Sequence, residues 1–290
     1  MVGRDARGGG LGLLNVPAGP GVPRAAYRPG PAGAEREVAT FGRGVPGLSS
    51  LRAVSAAPTP TRRTVRWGLG DVVWVWFAGL VAGSLAGTIT LAIRGRASGL
   101  DPDGIDLAVG LIAQNGAILL ALVGLSRSKG RSSLRDDFGL ALRGRDWPWL
   151  AAGVLLQVLA IGAVELLQQI GPGLPEQQAA ETVSHSQGPE IVLVVLGVAL
   201  FAPLVEELLF RGLLLRALLR RTTPVWAVTI SAVVFAAAHL LDPSTATLMA
   251  PLLLLAVISG IRAVRTGNLS QSIMLHVGFN LLSAILLLWA

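Results

Sequence analysis

Seven apolar stretches occupy the chain from residue 71 to its end, near residues 71–93, 106–125, 147–170, 190–211, 224–241, 247–261 and 271–289. Most of the charge falls in the links between them. In lipid the backbone polar groups of such stretches find partners only by coiling into helices. The longer ones match a hydrocarbon core about 30 Å thick, the fifth is a little short and the sixth marginal. This pattern predicts an all-α, polytopic transmembrane bundle of about seven spans. Composition agrees: 52% of the residues are hydrophobic and 14% charged, where soluble domains carry about a quarter charged residues.

The formal net charge is +7, but no aromatic residues interleave with the basic ones, so nucleic acid is not an expected partner. The basic residues follow the membrane instead. Arg127, Lys129, Arg131, Arg135, Arg143 and Arg145 lie in the second link, Arg216, Arg220 and Arg221 in the fourth, and Arg262 and Arg265 in the sixth. The first link balances Arg94 and Arg96 with Asp101 and Asp103, the third has no basic residue except His185, and the fifth holds only Asp242. This alternation predicts a cytoplasmic N-terminus and an external C-terminus. Residues 1–60, rich in Gly, Pro, Ala and Arg, read as a disordered cytoplasmic tail. Residues 61–146 read as two accessory spans with a basic loop, and residues 147–290 as the functional domain. The chain has no cysteine, so thiol nucleophiles, disulfides and thiolate metal sites are excluded.

Two features concern packing. Gly79, Gly83 and Gly87 recur every four residues in the first span, a stripe along which another helix can approach. Trp67, Trp74, Trp76, Trp147 and Trp149 fall near span ends, where interfacial anchors are expected.

Polar groups inside the apolar stretches are costly and tend to be functional. Glu206 and Glu207 follow the run Ile191–Val205, which contains Pro203, and Arg211 comes four residues after Glu207. On a helix Glu207 therefore faces Arg211, and an ion pair keeps both charges in a medium of low dielectric. Glu206 points about 100° away without that partner, which makes it the reactive carboxylate. Pro203 can bend this helix just before the glutamates. His239 lies on the face of Phe235, one turn later, and His276 and Asn280 share a face of the last span. Gln114 and Asn115 of the second span are candidate interhelical partners or water-path residues. Glu165, Gln168 and Gln169 sit near the outer end of the third.

These groups suffice for peptide hydrolysis. Glu206 can take a proton from water, His239 can orient the water or shuttle the proton, and His276 with Asn280 can donate hydrogen bonds to an oxyanion. The same Glu/His/His set could instead hold zinc. No H-E-x-x-H motif is present, and metal-independent chemistry is the leading expectation. Buried Glu and His also serve as proton relays, so a proton-coupled transporter competes, although no inverted repeat is visible. A catalytically silent immunity or scaffold protein is the third reading. Straight helices pose a difficulty. From Thr223, His239 would lie about 24 Å deep, and from Ser270, His276 only about 9 Å. A common site then requires tilt, a kink, a fifth helix beginning outside the core, or residues 212–221 lying along the interface.

Glu206-Glu207-Leu-Leu-Phe-Arg211, Phe235 to His239 and His276 to Asn280 resemble, in order, the E-E-x-x-x-R, F-x-x-x-H and H-x-x-x-N motifs of the CAAX protease and bacteriocin-processing family, also called the type II CAAX prenyl endopeptidase family. The resemblance covers about residues 147–290. It implies an intramembrane protease whose first glutamate activates water while the histidines and asparagine complete the site. The family is often described as metalloproteases. Bacterial relatives are linked to bacteriocin maturation, self-immunity and surface-protein processing. The implied partners are the lipid bilayer and a membrane-associated protein or peptide substrate, and the implied location is a bacterial inner membrane.

Overall fold

The structure, a computed structural model, describes residues 64–95, 103–170 and 190–287. The tail (1–60) and the third link with Glu176, Glu181 and His185 lie outside them. The described residues form helices and connecting turns: α1 (Leu69–Ile93), α2 (Gly104–Lys129), the short α3 (Leu134–Phe138) and α4 (Pro148–Ile170). A long helix, α5 (Ile191–Leu219), follows. After it come α6 (Pro224–His239), α7 (Met249–Thr266) and α8 (Ser270–Leu287). Local chemistry sets the boundaries. Asp103 caps α2 by accepting from the Ile105 and Asp106 amides, Ser133 caps α3, and Pro224 opens α6 at a position where its missing N–H costs nothing. Gly267 ends α7 in the left-handed region, at φ 69°.

Among the described residues, five helical segments are long and apolar enough to cross a membrane: Leu69–Ile93, Gly104–Lys129, Gly144–Leu166, Ile191–Leu219 and Thr245–Thr266. The remaining two apolar helices, Pro224–His239 and Ser270–Leu286, are shorter. At 1.5 Å per residue α6 extends about 24 Å, less than the hydrocarbon core. Many apolar side chains face outward, among them Trp74, Leu120, Leu159 and Val225. An apolar exterior suits lipid, and the chain is a multi-pass membrane protein.

Hydrogen bonds gather the basic links at one end of the bundle. Arg216 donates to the Gly267 carbonyl, Leu269 N–H to Gly139, Arg143 N–H to Ser270 Oγ, and Lys129 pairs with Asp71 at the start of α1. The helices joined by these links therefore have their linked ends on one side of the bundle. Trp67 belongs to this end but is not an interfacial anchor. It is buried at 4% exposure, stacks on Phe138 and carries the Arg220 guanidinium over its ring at 4.2 Å. Trp74 and Trp147, by contrast, are exposed.

Glycine decides the closest approaches. A Cβ on Gly79 would meet Ile118 and one on Gly83 would meet Gln114, so two glycines of the stripe let α1 lie on α2, while Gly87 faces open space. The tighter crossing joins α4 and α8. A Cβ at Gly153 would collide with the Leu275 carbonyl and one at Gly278 with the Leu150 carbonyl. Leu275 and Gly278 flank His276, so this contact fixes the backbone that carries it. Asn115 bonds within its own helix, to Leu111.

Candidate active site

Helix α5 is not regular. It widens into π-helix at Gly197–Phe201 and again at Glu207–Leu214, leaving a short α segment, Ala202–Glu206, between. π-Turns inside helices are costly and cluster at functional sites. Residues 212–219 continue the helix and are largely buried. They do not lie along an interface.

Glu207 is fully buried and meets Arg211 Nη1 at 3.1 Å, the i,i+4 ion pair expected from spacing. The same oxygen, Oε1, lies 3.0 Å from His276 Nδ1. A carboxylate paired with guanidinium can only accept, so Nδ1 carries the hydrogen and donates it. That fixes the imidazole and turns Nε2 toward Glu206, whose Oε2 stands 3.7 Å away. The distance is too long for a direct hydrogen bond. Glu206 keeps 24% side-chain exposure, unlike its neighbour.

Phe235 is the hub of the second layer. Its ring lies 4.4 Å from the Arg211 guanidinium carbon, 4.8 Å from the His239 ring, 5.6 Å from the His276 ring and 5.2 Å from Phe210. Its face offers the buried guanidinium a cation–π contact. His239 Nδ1 donates to the Phe235 carbonyl at 2.9 Å, leaving Nε2 as the basic nitrogen of the neutral ring. His239 thus joins the cluster through the aromatic ring. Asn280 does not turn its bonded hydrogen toward Glu206: Nδ2 donates to the Val198 carbonyl of the first π-turn at 2.9 Å.

Staggered helix starts reduce the depth mismatch without removing it. Val228, the fifth residue of α6, is level with Gly260 of α7, whereas Ser272, only the third residue of α8, donates to the Ser259 carbonyl. Helix α6 begins farther from the site. Ser231 then ties it to α5 by donating to Phe210. Sequence reasoning passed over this serine and Val198, because a hydroxyl in an apolar helix and a backbone carbonyl carry no spacing signal.

Buried polar capacity is left unused by the fold. Oε2 of Glu206, Oε2 of Glu207 and Nη2 of Arg211 are buried without a hydrogen-bond partner among the described residues. Each such atom costs on the order of 1–3 kcal/mol, so their occurrence together on one helix calls for a reason beyond folding. The Glu206, His239 and His276 side chains do not converge as a set of zinc ligands. No group of three His, Asp or Glu side chains among the described residues converges as a metal site.

Residues 188–282 match the family model described as Rce1-like, type II CAAX prenyl endopeptidase. That is the family the three motifs resemble. The matched segment begins just before α5 and ends within α8, so it contains both glutamates, Arg211, both cluster histidines and Asn280. An Escherichia coli protein described as "Uncharacterized 24.3 kDa protein" is 30% identical over 141 residues, 47% of this chain and 62% of that protein. The chain thus spans less than two thirds of that relative's length. No solved structure matches.

Proposed function

We propose that the chain is an intramembrane endopeptidase that hydrolyses a peptide bond of a membrane-associated protein or peptide, with Glu206 as the base that activates water. The observation that supports this reading most is the 3.7 Å gap between Glu206 Oε2 and His276 Nε2, flanked by an acceptor the fold leaves unused. A water oxygen fits against both groups from one side, at about 2.8 Å from each. Glu206 takes its proton as the oxygen attacks the scissile carbonyl, and returns that proton to the leaving amine. Glu207, held by Arg211, keeps His276 in one orientation. His276, when protonated at Nε2, donates to the developing oxyanion, and His239 is a second candidate donor when its Nε2 is also protonated. The Rce1-like match supports the reaction class. The basic end of the bundle faces the cytoplasm in this reading, with the C-terminus outside a bacterial inner membrane.

The test compares membrane proteomes of cells carrying the wild type and Glu206→Gln at equal abundance. Precursors are expected to accumulate in the variant, and turnover of an isolated precursor to fall about 100-fold or more. Identical precursor profiles, or normal cleavage by the variant, would remove Glu206 from the role.

A further inference from the structure

Pro203 and Asn280 lie on different helices and are joined by one carbonyl. In the first π-turn the Ala202 N–H reaches back five residues to the Gly197 carbonyl. The next bond of that register would run from residue 203 to Val198. Residue 203 is proline and has no N–H to give. The Val198 carbonyl is thereby left without its intrahelical donor inside an apolar bundle, where an unpaired acceptor is costly. The side chain of Asn280 supplies the missing bond, with Nδ2 donating at 2.9 Å. Pro203 precedes Glu206 by three residues, and Asn280 follows His276 by one helical turn. The bond therefore links the two backbones that carry the facing carboxylate and imidazole.

We propose that Asn280 is a positioning residue: by replacing the hydrogen bond that Pro203 removes, it docks α8 onto the first π-turn of α5 and sets the Glu206–His276 gap. This deepens the protease reading and rests on it for the catalytic consequence. The bond to Val198 uses one of the two amide hydrogens, and the positioning role rests on that bond alone. It also makes an unusual demand, because the need for the amide is created by a proline elsewhere. Replacing Pro203 by alanine returns an N–H to α5. In the π register it bonds Val198 directly. In a relaxed α register it bonds Ala199, while Ala202 bonds Val198. In both cases the carbonyl no longer needs Asn280.

The experiment is a double-mutant cycle of Asn280→Ala and Pro203→Ala in the full-length, detergent-purified protein. Two readouts are taken: the thermal unfolding midpoint, and kcat and KM on a precursor that accumulates in Glu206→Gln membranes. Asn280→Ala alone is expected to lower the midpoint and to reduce kcat about tenfold or more, with KM little changed. Adding Pro203→Ala is expected to restore most of both. Additive losses, with the double variant no better than Asn280→Ala, would overturn the proposal and return Asn280 to direct contact with substrate. Recovery of the midpoint without recovery of kcat would also overturn the positioning role. If no precursor exists, the protease reading fails by itself, and the thermal cycle still decides whether the two residues are coupled.

Discussion

Arg211 shows how one side chain can satisfy two opposed requirements. Its guanidinium is 1% exposed, which would be prohibitive alone, yet Glu207 lies against its edge and Phe235 beneath its face. Removing one member of such a buried pair strands the other at a cost of about 3–5 kcal/mol. Arg211→Ala is therefore expected to reduce membrane abundance and thermal stability together with activity, whereas Arg211→Lys should retain part of each. Unchanged abundance of Arg211→Ala in quantitative blots would count against the pair as a structural support. The donor geometry yields a second expectation at this scale. Because no three His, Asp or Glu side chains converge among the described residues, cleavage by purified protein should survive o-phenanthroline, and loss of activity with chelator that zinc restores would contradict the assignment. The i,i+4 pairing was legible from spacing alone. The use of one Glu207 oxygen by both Arg211 and His276 was not, since it depends on a helix 69 residues away.

Among the elements, α5 departs most from what hydrophobic periodicity predicts. Pro203 announced a bend, but the two π-turns around Glu206 and Glu207 leave no mark in an apolar count. They become visible through the bonds of Ala202 to Gly197 and Leu215 to Phe210. The α4–α8 crossing is similarly silent in sequence. Gly153 and Gly278 stood in no obvious stripe, whereas Gly87, which did, faces open space. At Gly153 and Gly278 a side chain would strike backbone that cannot yield. Gly153→Val or Gly278→Val should destabilise the bundle by at least about 1–3 kcal/mol and lower activity further by moving α8. Gly162→Ala, with nothing within 4 Å of its Cβ, is the control expected to match wild type in a thermal melt.

At the scale of the whole molecule, the basic links meet at one end through Arg216, Arg143, Gly139 and Lys129, so the charge alternation has a physical counterpart. Alkaline phosphatase fused after Ala290 should be active and green fluorescent protein fused there dark, with the reverse for fusions in the link between α2 and α4. Fluorescence at the C-terminus would invert the topology. The amino-acid sequence by itself determined the helical, membrane-spanning architecture, because backbone in lipid has so few ways to bond. It also determined which ionisable groups had to find partners, because stranded charge is so costly there. Only the tertiary structure decided which partners they found. That outcome depends on how far each helix is shifted along its neighbours, on where glycine permits backbones to touch, and on which carbonyl a proline leaves open. These are relations between residues distant in the chain, and no local pattern encodes them.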